Sequence, residues 1–250
     1  MFKIHKLLYF FVLFGLIACQ EQISIKELNI ALATGFPPFT YVENDSLIGL
    51  ESELIYLLSK NLKIPTKITT YSFSQLLSTF QEEDYHLALG GITVTDRRNE
   101  IFDFSAPYYD ATQTILTRND VNITIDSLSV ISGQRIGVLN NTTSLLFMEN
   151  LILKEPSFSA NNLRRYNSLG NLINALIEKE VNYIFLEGTV ASLLEKKHDI
   201  KIVYIDKNIE KYAIVLKKDS KLRSRINKTM ISFLETEEWE MILSKWLITN

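Results

Sequence analysis

Along most of the chain, short apolar runs alternate with stretches in which apolar residues recur every three or four positions. The short runs are rich in aliphatic and β-branched residues and predict strands at 28–33, 67–71, 87–89, 112–117, 135–139 and 181–186. The recurring pattern predicts helices at 49–61, 74–80, 144–154, 168–178 and 189–197, with a further helix beginning at Thr95. Strands that alternate with helices predict an α/β fold whose sheets are mostly parallel and covered on both faces.

The last part of the chain predicts an amphipathic helix and a short second one. Its apolar residues fall at helical spacing: Leu222, Ile226, Met230, Phe233 and Leu234, with Trp239 and Trp246 beyond. The length of 250 residues is enough for one large domain or for two lobes with separate cores. A boundary is expected near the polar stretch 118–122, and because no long linker is present, two lobes would be joined by strands.

The N-terminus has the pattern of a secretory signal. Lys3, His5 and Lys6 precede an apolar stretch from Leu7 to Ala18, which is shorter than the roughly 20 residues of a membrane-spanning helix. Residues 1–18 are therefore expected to be a signal peptide. The run ends in Leu-Ile-Ala-Cys, which resembles the bacterial lipobox, so Cys19, the only Cys of the chain, is expected to be acylated. The alternative is an apolar Cys within an ordinary signal region.

Composition and missing motifs exclude several function classes. With 26 basic and 29 acidic side chains, the formal net charge is −3, and no clustered basic run is present for nucleic-acid binding. The chain has no GxSxG, GxxxxGK, GxGxxG or HExxH motif, so the common catalytic templates fail. Beyond the signal only His86 and His198 remain, too few for a zinc site without Cys, and both are expected to be structural or solvated. No metal or cofactor is expected.

One segment has the features of an anion site. Residues 90–98 run from the end of a predicted strand, through two glycines and several hydroxyl residues, into the start of a predicted helix. Free N–H groups and the positive end of a helix dipole attract a carboxylate, and Arg98 beside them can bind it with two N–H groups. The alternative is a surface Arg98 paired with Glu100 or Asp103. The segment alone leaves both interpretations open.

Seven segments match one set of family motifs in order and spacing. The most specific are TVTDRR at 93–98 and DFSAPYY at 103–109; the others are FPPF at 36–39, GLESEL at 49–54, RIGVLNNTT at 135–143, VNYIFLE at 181–187 and YAIVL at 212–216. They resemble TITxxR, DFSxPYY, YPPF, GFDVDL, KVGVxxGTT, VDAVVAD and YGIAV of the family 3 bacterial solute-binding proteins. These proteins are the extracytoplasmic amino-acid receptors of ABC transporters.

This resemblance implies a two-lobed type II periplasmic-binding-protein fold, in which each lobe is a mixed β-sheet flanked by helices and two hinge crossovers join the lobes. Lobe 1 is expected to comprise residues 25–116 and 217–250, and lobe 2 residues 117–216. The implied protein is a monomer in the periplasm or at the cell surface, held by its lipid and, in a double-membraned cell, expected on the outer membrane. Its implied partners are a small amino-acid-like ligand and an ABC permease.

The resemblance also assigns ligand contacts residue by residue. In lobe 1, Arg98 would bind the ligand α-carboxylate, and Thr93 and the backbone at Gly91 would donate beside it. In lobe 2, a helix start carrying two threonines would donate, and an acid would pair with the α-ammonium; these residues are Thr142, Thr143 and Glu187. Two aromatic residues, Phe36 and Phe73, would form apolar walls for the side chain. For these two, a place in the core is the alternative.

Three departures from the family pattern affect these expectations. The Gly before the threonine pair is Asn141 here, which is acceptable because Asn tolerates a positive φ. The usual Asp is Glu187, one methylene longer. The acid that members binding basic amino acids carry near the first turn falls at Ala33, so a polar uncharged or modestly apolar amino acid is expected as ligand.

Two rival functions remain. The fold also includes periplasmic dehydratases of cyclohexadienyl acids such as arogenate, in which Glu187 would be the proton donor to a leaving hydroxyl. The third interpretation is a lipoprotein that uses the fold only as an interaction surface, and it predicts no tight small ligand.

Overall fold

The computed structural model describes residues 25–247, so the predicted signal peptide and Cys19 lie outside the described residues. The strands are β1 Leu28–Ala33, β2 Tyr41–Glu43, β3 Ser46–Ile48, β4 Thr66–Tyr71, β5 Leu87–Leu89, β6 Phe102–Phe104, β7 Tyr109–Arg118, β8 Ile136–Leu139, β9 Leu163–Tyr166, β10 Tyr183–Glu187, β11 Ile200–Tyr212 and β12 Val215–Lys217. The helices are α1 Leu50–Leu62, α2 Phe73–Glu82, α3 Asp96–Ile101, α4 Thr143–Lys154, α5 Leu169–Ile177, α6 Gly188–Lys197, α7 Arg223–Leu234 and α8 Glu237–Leu247.

The first five-stranded sheet has the order β4-β1-β5-β12-β6. Strand β1 is parallel to both of its neighbours, whereas β12 is antiparallel to β5 and β6. The interior strand β1 is apolar on both faces: Leu28, Ile30 and Leu32 are fully buried against α1, and the residues of the opposite face, Ala31 and Ala33, are buried against α2. We call this sheet and its helices α1, α2, α3, α7 and α8 the first lobe.

The second sheet has the order β11-β7-β10-β8-β9. Strands β10, β8 and β9 are mutually parallel, and β7 is antiparallel to both β10 and β11. Helices α4, α5 and α6 pack on it, and with them it forms the second lobe. Two mixed sheets flanked by helices confirm the predicted α/β architecture.

Two short segments connect the lobes and lie side by side. Residues 105–108 lead from β6 to β7, and residues 213–214 lead from β11 to β12. They are joined by hydrogen bonds from the Ser105 N–H to the Ile214 carbonyl (2.9 Å), from the Ile214 N–H to the Ser105 Oγ (3.0 Å) and from the Tyr108 N–H to the Tyr212 carbonyl (2.9 Å). The two crossovers therefore form one hydrogen-bonded hinge.

The sheets divide the chain at a different place from the predicted lobe boundary. The prediction placed residues 109–116 in lobe 1, but they belong to β7, which pairs with β10 and β11 of the second sheet. At the second crossover, residues 215–216 belong to β12 of the first sheet. The polar stretch 118–122 begins at the last residue of β7 and continues as a turn within the second lobe. The lobes are connected instead by residues 105–108 and 213–214, most of which are buried.

The C-terminal helices return to the first lobe, as the position of β12 requires. The predicted apolar face of α7 is buried at Ile226, Met230 and Phe233, and Trp239 of α8 is 2% exposed. Both helices pack against α1. Among the helices described, none is long and apolar enough to cross a membrane.

Candidate functional site

A cavity lies between the lobes, where β5, β8 and β10 end. In open α/β sheets ligand sites form beyond the carboxyl ends of the strands, because loops and helix starts converge there. The cavity is lined by Phe36, Phe73, Gly91, Thr93, Arg98, Gln113, Leu139, Thr142, Thr143, Ser144, Leu186, Glu187 and Tyr212. All eight residues that the sequence resemblance assigns to ligand contacts are in this set, so the structure brings together residues up to 151 positions apart, from Phe36 to Glu187.

Arg98 is held at the cleft by the first turn of α3. The Thr95 hydroxyl caps this helix by accepting the Arg98 N–H (3.2 Å). The guanidinium donates through Nη1 to the Thr93 carbonyl (2.8 Å) in its own lobe and through Nη2 to the Asn141 carbonyl (3.0 Å) in the other. Burial lowers the pKa of Arg98, and the nearby Glu210 opposes that shift. Because arginine titrates far above neutrality, the group stays cationic.

The alternative for Arg98, a surface residue paired with Glu100 or Asp103, does not describe this geometry. The Arg98 residue is 9% exposed, and its guanidinium contacts are main-chain carbonyls of both lobes. Asp103 instead lies 3.7 Å from the Lys218 ammonium and 3.5 Å from the Arg223 guanidinium. Arg98 is therefore a cleft residue with remaining N–H groups able to bind an anion.

The loop before Thr93 is organised by a buried carboxyl. Glu51, fully buried at the start of α1, accepts the Gly90 N–H (3.0 Å) and the Gly91 N–H (2.7 Å) through Oε1 and the Thr40 hydroxyl (2.6 Å) through Oε2. The Tyr108 hydroxyl also donates to Oε1. Burial raises the pKa of Glu51, and these hydrogen bonds lower it in part.

This arrangement changes one expectation for Gly91. The sequence resemblance assigned its backbone as a donor to a ligand, but its N–H is already used by Glu51. Gly91 instead lines the cavity at a φ of +66°, where an added Cβ would lie 3.2 Å from the Tyr212 ring and 3.3 Å from the Phe36 ring. The positive φ favours glycine here, and a side chain would in addition press on both rings.

The second lobe contributes the start of α4. Asn141 has a φ of +61°, which confirms the prediction that it tolerates the glycine position. The Thr142 hydroxyl caps the helix by accepting the Leu145 N–H (3.2 Å). The Thr143 hydroxyl donates to Oε2 of Glu210 (2.8 Å). The positive end of the helix dipole and the Thr143 hydroxyl together suit an anionic group.

Glu187 lies on the second lobe where β10 ends and α6 begins. Its carboxyl caps α6 by accepting the N–H groups of Thr189 (3.0 Å) and Val190 (2.9 Å). It is 3% exposed, and burial raises its pKa to about 7, with Glu210 adding to the increase. Glu187 therefore exchanges a proton near neutral pH, and an added ammonium group beside it would favour the ionised form.

The two aromatic residues predicted as walls lie at the cavity rather than in the core. Phe36 and Phe73 are both partly exposed and line the cavity. The Phe36 ring stacks on the fully buried Phe39 ring (centroids 5.7 Å apart), which in turn contacts Tyr212 edge-on at 5.4 Å. Phe36 is thus supported from the core while one face remains on the cavity.

The sequence reasoning missed an acidic residue at the centre of the cleft. Oε2 of Glu210, on β11, accepts hydrogen bonds from the Thr93 hydroxyl (2.9 Å), the Thr143 hydroxyl (2.8 Å) and the Gln113 side-chain amide (3.1 Å). The side-chain oxygen of Gln113, Oε1, accepts a hydrogen bond from the Ser144 hydroxyl (2.6 Å). Neither Glu210 nor Gln113 belongs to a recognisable motif, whereas Tyr212, also missed as a lining residue, begins the YAIVL segment.

Direct contacts also cross the cleft. The Asn141 side-chain amide donates to the Ser74 carbonyl (2.7 Å) beside the contact of Arg98 with the Asn141 carbonyl. Thr93 of the first lobe and Thr143 of the second share the Glu210 carboxylate. The lobes are in this way held together around the cavity by polar groups from both sides.

Comparison with known proteins identifies one family over nearly the whole chain. The sequence profile of the bacterial extracellular solute-binding proteins, family 3, matches residues 28–249. The arginine-binding extracellular protein ArtP of Bacillus subtilis is 26% identical over 94% of this chain and 93% of its own length.

Solved structures give the same fold. The amino-acid ABC transporter substrate-binding protein AbpA of Streptococcus pneumoniae, bound to L-arginine, superimposes with a TM-score of 0.79 at 27% identity, covering 88% of this chain and 94% of that chain. The ancestral amino-acid-binding protein AncCDT-1, a precursor of cyclohexadienyl dehydratase, has a TM-score of 0.80 at 19% identity, covering 89% and 96%. These likenesses confirm the predicted two-lobed type II binding-protein fold.

Proposed function

The chain belongs to the bacterial extracellular solute-binding proteins, family 3, and we propose that it captures a small amino acid or related carboxylate in the cleft between its lobes and delivers it to an ABC transporter. It binds without chemical conversion. Contacts from both lobes to one ligand favour the closed arrangement, which a permease can recognise.

The observation that carries this proposal is the pair of opposite charges facing one cavity from opposite lobes. Arg98 supplies a buried cation from the first lobe, and Glu187 supplies a buried acid from the second. An amino acid carries one group for each: a carboxylate that a guanidinium binds with two N–H groups, and an ammonium that a carboxylate accepts. Phe36 and Phe73 provide the apolar walls for the side chain.

The relatives support the ligand class and the transporter. ArtP is named an arginine-binding extracellular protein, and AbpA is an amino-acid ABC transporter substrate-binding protein bound to L-arginine. Together with the charges of the cleft, these names favour an amino acid as ligand and an ABC permease as partner.

Ligand-dependent stability tests the proposal. The purified protein is first unfolded and refolded to remove bound small molecules, and then melted with each of the common amino acids, arogenate and prephenate. A ligand at a hundredfold its Kd adds about 2.7 kcal/mol to the free energy of unfolding, a large shift in a melting curve. Arg98→Ala should abolish the shift, whereas Arg97→Ala, on the exposed side of the same helix turn, should keep it.

Two results would contradict the proposal. One is the absence of a shift with every compound on well-folded protein, which would favour a function as an interaction surface. The other is an equal shift in Arg98→Ala and in the wild type, which would place the ligand elsewhere.

We propose further that the protein is anchored through lipid on Cys19, on the outer membrane in a double-membraned cell. The sequence Leu-Ile-Ala-Cys at the end of the apolar run supports this. Labelling of cells with a fatty acid that carries a click-chemistry handle should mark the wild-type protein and leave Cys19→Ser unmarked. Equal labelling of both proteins would refute the anchor.

A second candidate function, dehydration of a cyclohexadienyl acid, is favoured by the proton affinity of Glu187. A carboxyl with a pKa of about 7 holds a proton near neutrality and can donate it to a leaving hydroxyl. Water and carbon dioxide would leave as the ring becomes aromatic, which ultraviolet absorbance detects. Turnover of prephenate or arogenate that Glu187→Gln abolishes would establish this activity; an unchanged substrate after prolonged incubation excludes it for that substrate.

A further inference from the structure

Glu210 contacts both lobes in the cleft, and capture of an amino acid by Arg98 and Glu187 gives it no role. It lies on β11, just before the hinge, and is partly buried. Its Oε2 accepts three hydrogen bonds, from Thr93 of the first lobe and from Thr143 and Gln113 of the second. A single carboxylate oxygen is therefore held by both lobes at once.

Two of these three donors, Thr93 and Thr143, are residues that the family resemblance assigns as donors to the ligand. A ligand whose carboxylate binds Arg98 and the Thr93 and Thr143 hydroxyls must compete with Glu210 for them. Two carboxylates that share one set of donors repel each other. Binding of a ligand carboxylate here consequently either displaces Glu210 or requires a positive charge to offset the repulsion.

The cleft also holds more negative than positive charge when its acids are ionised. Arg98 contributes one positive charge, and Glu187 and Glu210 contribute one negative charge each. The nearest basic side chain on β11, Lys211, belongs to the opposite face of the strand, where its ammonium lies 3.0 Å from Asp110 on the protein surface. Glu210 does not itself line the cavity but accepts hydrogen bonds from three residues that do. With both acids ionised, the charges at and directly behind the cavity wall sum to −1, and a zwitterion adds no net charge to correct this.

We propose that Glu210 is a specificity-determining residue that selects a ligand carrying a second cation on its side chain, that is, a basic amino acid. The inference rests on the proposed function and names its substrate class. With such a ligand, the α-carboxylate and α-ammonium match Arg98 and Glu187, and the side-chain cation offsets Glu210. A neutral amino acid leaves the charge of Glu210 unbalanced beside its own carboxylate.

This ligand class differs from the uncharged one that the sequence alone predicted. That prediction considered only the first turn, where Ala33 replaces an acid. Glu210 supplies the missing charge from a strand that is 117 residues away from Thr93 in the chain, and only the fold reveals that it faces the cleft.

Arginine and citrulline provide a direct test, since they have nearly the same shape and differ in one charge. Calorimetry with the refolded protein should give a Kd for arginine at least tenfold lower than for citrulline. In Glu210→Gln this ratio should fall to threefold or less, chiefly because citrulline binds more tightly. Glu210→Asp, which keeps the charge, and Glu238→Gln, which removes an exposed acid on α8, should both keep the arginine preference.

The outcomes separate this inference from the function on which it rests. An unchanged ratio in folded Glu210→Gln overturns the inference while the receptor function stands. If Glu210→Gln does not fold, equal affinity of the wild type for arginine and citrulline overturns it as well. Failure of every amino acid to bind the wild type overturns both, and the Arg98→Ala experiment identifies that case independently.

Discussion

Removal of the Glu51 side chain should destabilise the first lobe although Glu51 does not line the cavity. Its carboxyl accepts the N–H groups of Gly90 and Gly91 and contacts the hydroxyls of Thr40 and Tyr108. In Glu51→Ala the two N–H groups lose their acceptor inside the protein. A buried unsatisfied group costs about 1–3 kcal/mol, so the free energy of unfolding should fall by about 2–6 kcal/mol.

Glu51→Gln is the matched control because an amide oxygen can still accept both N–H groups. The amide nitrogen cannot accept the Thr40 hydroxyl, so a loss of about 1 kcal/mol is expected. Urea unfolding followed by circular dichroism measures both variants against the wild type. An Ala variant within about 0.5 kcal/mol of the wild type, the range of ordinary surface substitutions, would refute the role of this carboxyl.

Two further predictions concern residues of the cavity. Burial raises the pKa of the Glu187 carboxyl from 4.5 to about 7. Between pH 4.5 and about 7 the folded protein therefore binds more protons at this group than the unfolded protein does. The free energy of unfolding should consequently fall by about 3 kcal/mol as the pH rises from 4.5 to about 7. Because burial also raises the pKa of Glu51, part of any fall remains in Glu187→Gln. Urea titrations should therefore show a fall about 3 kcal/mol larger in the wild type than in Glu187→Gln; parallel curves would contradict the role of Glu187. Gly91→Ala should lower stability by about 1–3 kcal/mol more than Gly133→Ala, because both positions have positive φ but an added Cβ at Gly133 has no heavy atom within 4 Å. Equal melting temperatures for the two Ala variants would show that the space around Gly91 does not matter.

The sequence predicted those parts of the fold that depend on local patterns. Apolar periodicity located the helices and the buried strands β1, β5, β7, β8 and β10, since a covered strand or helix must be apolar at fixed intervals. It did not locate β6 and β12, which are buried but only three residues long. It also missed β11, whose pairing with β7 is interrupted by register shifts and whose apolar pattern is interrupted by the exposed residues Lys207, Asn208 and Lys211. It also placed the lobe boundary in a polar stretch, although the hinge is formed by two mostly buried segments whose hydrogen bonds join residues 105 and 214.

In the candidate site, too, the residues with a local sequence pattern were predicted and those without one were not. Residues at helix starts that follow strands, such as Arg98 and Thr143, belong to contiguous motifs and were found from the sequence. Glu210 was not found, because one charged residue on a strand with other charged residues gives no local signal. Its position in the cleft results from the fold of the whole chain, which brings Thr93 and Thr143 to the same carboxylate oxygen.

The position of β12 determines the order in which the two lobes can be completed during synthesis. All strands of the second sheet lie within residues 109–212, so that sheet can form once this continuous segment is available. The first sheet cannot, because β12 lies between β5 and β6 but comes after every other strand of that sheet in the chain, with α7 and α8 following it. Until residue 217 has emerged, β6 has no partner in the sheet and the α1 surface that α7 and α8 cover stays exposed. The lobe that begins first along the chain is thus the last to be finished, and it is the one that carries Arg98.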